Sequence, residues 1–196
     1  MGILTICLLC FIATELSFYD LNTFNMMNFF TKRNAFATLN ENVHHPMIDI
    51  LDVSSLKNKS INILEIGAGN GISTANFMNR LNKHKLKYNY TANEYYSSYE
   101  KDLLKVINEK HVLLLIMPFE EIYMHTTQPF DIILLTAVSA INDQNIDYLR
   151  KIINADTKII TICPYVFASL LIPYFEIIQV ETCTTLLGIF VLSLHI

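Results

Sequence analysis

Backbone freedom in this chain is gathered almost entirely at one place. Three of its five glycines stand within Glu65-Ile66-Gly67-Ala68-Gly69-Asn70-Gly71. The apolar run Ile61 to Ile66 leads into them, and a helical pattern over Ser73 to Leu81 follows. A strand, a turn without side chains and a helix, in that order, let main-chain N–H groups and a helix N-terminus approach a ligand. An acidic residue, Glu65, ends the strand. The combination predicts a site for a nucleotide-like cofactor.

The pattern around the turn alternates. Strand-like runs at Ile61 to Ile66, Tyr88 to Glu94, His111 to Met117, Phe130 to Val138 and Thr157 to Cys163 are separated by helical stretches at Ser73 to Leu81, Tyr99 to Asn108 and Asn145 to Ile153. Such spacing predicts an α/β fold: a Rossmann-like, mostly parallel sheet with helices on both faces. The last two runs, Glu176 to Cys183 and Gly188 to His195, are joined by too few residues for a parallel crossover. They predict a C-terminal antiparallel hairpin, making seven strands in all. Residues 1–58 lack strand alternation and read as an N-terminal helical cap, with an aromatic and Met-rich stretch over Leu16 to Phe30 and a helix starting at Pro46. Residues 59–196 form the main domain.

Composition narrows the partners. A net charge of −4 argues against nucleic acid held through its phosphates. The one basic cluster, Lys83-His84-Lys85 with Lys87, reads as a solvated loop. Met1 to Ala13 is apolar but too short to span a bilayer, has no basic residue before it, and is interrupted early by Glu15 and Asp20. A buried cap helix is favoured over a targeting segment, with both readings open. The start Met1-Gly2-Ile3-Leu4-Thr5-Ile6 misses the acylation pattern. Cys7, Cys10, Cys163 and Cys183 have no complementary metal spacing. All four read as reduced, structural thiols, which fits a cytoplasmic location and no metal.

Glycine spacing separates two cofactor classes. A dinucleotide turn needs G-x-G-x-x-G, but here Gly67, Gly69 and Gly71 read G-x-G-x-G and Ile72 takes the third dinucleotide position. Glu65 would repel a pyrophosphate yet suits a cationic group. The stretch Ile63-Leu64-Glu65-Ile66-Gly67-Ala68-Gly69-Asn70-Gly71 resembles the first motif of class I S-adenosylmethionine-dependent methyltransferases. The resemblance spans residues 61–196. With Tyr90-Thr91-Ala92-Asn93-Glu94 and Phe130-Asp131-Ile132-Ile133, the wording is most similar to C-methyltransferase domains of polyketide synthases.

That resemblance implies a cofactor, S-adenosyl-L-methionine, and a set of contacts. Gly67, Ala68, Gly69 and Gly71 would approach its methionine moiety, with Glu65 near the ammonium. Glu94 would accept from the ribose hydroxyls, Tyr95 would cover ribose or adenine, and Met117 to Phe119 would line the adenine edge. Thr136 would face the sulfonium region. The alternatives for these residues are a solvated strand end for Glu94, surface packing for Tyr95 and the core for Phe119. Polyketide C-methyltransferases use a histidine after the fourth strand, where this chain has Val138-Ser139-Ala140-Ile141. His44 and His45 stand in the cap, and no catalytic base is assigned. The implied reaction is direct methyl displacement onto a small or carrier-bound acceptor. A methyltransferase fold without turnover, serving as a binding or scaffold protein, is the alternative, and a nicotinamide-dependent oxidoreductase the second.

Overall fold

A computed structural model describes residues 41–107, 112–135, 146–164, 173–182 and 187–194. All lie in the unit Asn40–Ile196. The expectations for residues 1–40, for Thr136 and Val138 to Ile141, and for Cys7, Cys10 and Cys183 fall outside the described residues.

Among the described residues seven strands make one sheet: β1 (Ser60–Ile66), β2 (Lys87–Glu94), β3 (Val112–Ile116), β4 (Ile132–Leu135), β5 (Lys158–Pro164), β6 (Phe175–Thr182) and β7 (Leu187–Leu194). Their order across the sheet is β3-β2-β1-β4-β5-β7-β6. The first five are parallel, with Ile63 opposite Tyr90 on one side and Ile132 on the other. β7 runs antiparallel to both β5 and β6. This is the Rossmann-like sheet and terminal hairpin that the alternation predicts. From β1 the chain steps to β2 and β3 on one side, then returns to β4 on the other. The crevice beyond the carboxyl ends of β1 and β4 is therefore the switch point, where open α/β sheets bind ligands.

Alternation along β1 assigns the two faces. Leu64 and Ile66 join a buried cluster with Leu115 of β3, Ile133 and Leu135 of β4, and Phe190 and Leu192 of β7. Covering that face are Phe119 and Ile122 of a 3-10 turn (Phe119–Met124) and Leu149 of the short helix Ile146–Arg150. Ile61, Ile63 and Glu65 point the other way. There α3 (Ile72–Lys83) buries Thr74, Phe77, Met78 and Leu81, an i, i+3, i+4, i+7 stripe.

Two short helices precede β1: α1 (Glu41–Asp49) and α2 (Val53–Leu56). α1 lies against α3, with the His44 ring edge-on to Phe77 at 5.2 Å and Asp49 accepting from Arg80 Nε and Nη2, both at 2.6 Å. Met47 and Ile48 are fully buried. Pro46 was expected at the start of this helix but lies inside it. The proline forfeits one backbone bond, and the packing of its neighbours onto α3 compensates. The helix expected from Tyr99 is α4 (Glu100–Val106), preceded by a 3-10 turn at Ser97–Tyr99. β4 begins at Ile132 rather than Phe130, because the two residues before it are cross-links. Asp131 exchanges backbone and carboxylate bonds with Asn62, and Phe130 donates its N–H to Ile152.

Candidate functional site

Directly after β1, Gly67, Gly69 and Gly71 have φ of 85°, 56° and 87°. This is the left-handed region that residues with a Cβ rarely adopt. Gly71 and Gly69 differ in what surrounds them. At Gly71 a Cβ would come within 3.1 Å of Val106 Cγ2 and 3.3 Å of Leu103 Cδ2, so α4 packs tightly against the turn. At Gly69 a Cβ would meet nothing within 4 Å. The turn is thus closed at its helix end and open at its centre, as a backbone that receives a ligand must be.

Two carboxylates hold this turn from different sides. Glu65 is fully buried. Its Oε1 accepts from Ser73 Oγ at 2.5 Å, and its Oε2 accepts from Thr74 Oγ1 at 2.6 Å and from Tyr90 OH at 2.9 Å. It therefore ties β1 to the first turn of α3 and to β2. Burial pushes its pKa up, the three hydroxyls push it back down, and the charge of Glu94 adds a further rise. Tyr90, buried beside it, is held well above the usual phenol value by burial and then by Glu65.

Glu94 ends β2 and is also buried. Its Oε2 accepts from Gly69 N–H at 2.7 Å and its Oε1 from Tyr96 N–H at 2.9 Å. A carboxylate offers about four acceptor positions, so roughly two remain for further donors. Because both bonds come from main chain, they set the orientation of the carboxylate whatever the neighbouring side chains do.

The residue before it was not singled out by sequence. Asn93 O accepts the N–H groups of both Gly67 and Ala68, each at 3.0 Å. Its side-chain Nδ2 donates to Leu115 O at 3.2 Å and Met117 O at 2.9 Å. Met117 N–H in turn donates to Glu94 O. The only hint in sequence was an amide one step from the end of an otherwise buried strand. A second such residue, Thr161 of β5, is fully buried and donates to Leu135 O, steadying the carboxyl end of β4.

Gly67, Ala68, Gly69, Glu94 and Met117 are thus linked by hydrogen bonds, partly through Asn93, at the carboxyl end of the sheet, while Glu65 is bound to Ser73, Thr74 and Tyr90 and Gly71 abuts the same turn. Tyr95 stands beside Glu94, 60% exposed, its ring edge-on to Tyr96 at 4.9 Å. Phe119 is buried in the hydrophobic cluster, against which Met117 packs half-buried. Thr136 lies just past the described end of β4. Of the cap histidines, His44 is buried and its Nδ1 accepts from Asn76 Nδ2 at 2.9 Å. His45 Nε2 is buried and has no hydrogen-bond partner among the described residues. No group of three or more metal-ligating side chains occurs among them, and none of their helices is long and apolar enough to cross a membrane.

No protein-family model matches the sequence, and no curated protein matches it either. Solved structures do match. A ribosomal protein L11 methylase from Lactobacillus delbrueckii subsp. bulgaricus is similar over 78% of this chain and 79% of its own, with 14% identity and a TM-score of 0.57. A precorrin-6y C5,15-methyltransferase from Geobacter metallireducens covers 81% and 91%, with 11% identity and a TM-score of 0.59. Fibrillarin from Aeropyrum pernix, solved with natively bound S-adenosyl-L-methionine, covers 70% and 68%, with 15% identity and a TM-score of 0.53. Sheet order, terminal hairpin and these neighbours agree: the chain has the fold of the class I S-adenosylmethionine-dependent methyltransferases.

Proposed function

We propose that this chain binds S-adenosyl-L-methionine at the turn after β1 and transfers its methyl group to a small or carrier-bound acceptor. The observation that carries the reading is the Glu94 carboxylate, held by Gly69 N–H at 2.7 Å beside a turn whose centre is open. A vicinal diol needs an oriented acceptor with spare lone pairs, and Glu94 is such a group. Gly67, Ala68, Gly69 and Gly71 take the methionine moiety along the backbone. Glu65 acts on its ammonium as a buried negative charge behind the first turn of α3, where low dielectric strengthens the field. Tyr95 covers the nucleoside, and Met117 and the backbone toward Phe119 line the adenine edge.

The bound cofactor supplies an electrophilic methyl on a sulfonium, a leaving group that needs no proton. What the protein contributes is alignment, which can be worth up to ~7–11 kcal/mol of the barrier. The net charge of −4 favours an acceptor that is not a nucleic acid, and the reading of the four cysteines as thiols favours the cytoplasm. The neighbours named above span a ribosomal-protein methylase and a precorrin methyltransferase, so their common fold leaves the acceptor to be found by screening.

Calorimetric titration with S-adenosylhomocysteine tests the reading. Charge-assisted bonds contribute roughly 1.5–3 kcal/mol each, so Glu94→Ala is expected to weaken binding by about tenfold or more. Absence of heat with the wild type defeats the cofactor assignment. Unchanged affinity in the variant defeats only the role of Glu94.

A further inference from the structure

We propose that Asn93 is a positioning residue that sets the spacing between the two halves of the nucleoside site. The inference rests on the cofactor reading above and extends it to a residue outside the first motif. Three segments meet at Asn93. Its carbonyl receives Gly67 and Ala68 from the turn after β1, and its amide donates both hydrogens, to Leu115 O near the end of β3 and to Met117 O just beyond it. Glu94, the ribose-facing carboxylate, follows it directly and bonds the same two segments, through Gly69 N–H on one side and Met117 N–H on the other.

The chemistry of the side chain is specific. Two carbonyl oxygens converge on one side chain that is 2% exposed, and an amide is the small neutral group that donates twice. Aspartate has the same shape with no donor and would set a negative charge against two carbonyl dipoles. Alanine keeps the main-chain carbonyl that holds Gly67 and Ala68 and removes only the side-chain bonds to Leu115 O and Met117 O. The two substitutions therefore isolate the side-chain contribution from that of the backbone. Without the amide, Leu115 O and Met117 O lose their side-chain partner and backbone bonds such as Met117 N–H to Glu94 O alone hold that segment, so its spacing from the turn loosens and a rigid nucleoside no longer meets both halves well at once.

The test compares wild type, Asn93→Asp and Asn93→Ala by titration with S-adenosylhomocysteine and with adenosine, at a temperature well below each protein's measured Tm. The expected result is at least a tenfold loss of affinity for both ligands in both variants. A residue that served stability alone would lower Tm and leave these affinities within about twofold, and that outcome overturns the proposal. Wild type that fails to bind S-adenosylhomocysteine defeats the cofactor reading before the variants are compared. If neither variant folds, hydrogen exchange on the wild type decides. S-adenosylhomocysteine should slow exchange at the Gly67, Ala68 and Met117 amides together, and slowing confined to one of the two segments overturns the coupling.

Discussion

His44 carries the clearest electrostatic consequence of burial in the molecule. Loss of solvent, and then the neighbouring His45, lower its pKa from 6.5 to about 4. Asn76 donates to Nδ1, which leaves the ring proton on Nε2 and makes the neutral imidazole the native form. The unfolded chain takes up a proton near pH 6.5, the folded one only near 4. The stabilisation is therefore complete above about pH 6.5, declines as pH falls, and is lost below about pH 4, an effect of about 3 kcal/mol at most. Thermal unfolding between pH 7 and pH 4 checks this: Tm of the wild type is expected to fall more steeply than that of His44→Gln. Parallel curves would show that the imidazole is solvated in the folded state. At this scale the sequence was half informative. The turn glycines were legible because glycine is scarce here and their spacing is diagnostic, and Glu65 and Glu94 because each stands at the end of a strand-like run. Asn93 and Tyr90 were not, because an amide or a phenol inside a strand looks the same whether it serves a core or a site.

Helix boundaries depend on local backbone chemistry, and α3 is the instructive case. It starts at Gly71, whose carbonyl accepts Ala75 N–H, and Asn70 Oδ1 receives Ile72 N–H in place of a side-chain cap at Gly71 itself. At its far end Arg80 and Lys83 stand in the last turn, where cations complement the exposed carbonyls. The chain then reverses through Lys85 at φ 58°, with Lys85 N–H on Asn82 O and Leu86 N–H on Leu81 O. That position favours glycine, and a lysine held there is strained. Lys85→Gly is expected to raise stability by about 0.5–1 kcal/mol, seen as a Tm increase of roughly 1–4 °C. A lower Tm would mean that the lysine stem packs more usefully than the strain costs. The spacing of apolar residues made α3 and all seven strands visible in sequence. It did not reveal the 3-10 turn at Phe119–Met124, whose Phe119 and Ile122 sit three apart and serve the core without a helical run long enough to recognise.

Across the whole molecule, strand order was beyond the reach of periodicity. Alternating units imply a parallel sheet but not which strand lies beside which, and the order β3-β2-β1-β4-β5-β7-β6 comes from long-range pairing. The terminal hairpin was legible because a link this short leaves one geometry. Its placement was not: β7 inserts between β5 and β6, with Thr161 opposite Phe190 and Val180 opposite Phe190 on the other side. Deleting residues 187–194 is therefore expected to remove more than one strand. It exposes the edge of β5, strips β6 of the neighbour that attaches it, and takes Phe190 and Leu192 out of the hydrophobic cluster. Loss of the cooperative unfolding transition by circular dichroism is the expected readout. A truncated chain that still melts sharply would argue that the first five strands suffice. The insertion also matters during translation, when polypeptide leaves the ribosome in one direction. β6 emerges before the strand that will hold it and, until β7 follows, carries Phe175 and Ile177, which the folded chain packs into its hydrophobic cluster, into solvent unaccompanied, a window in which a chaperone or a neighbouring nascent chain has its best opportunity to bind.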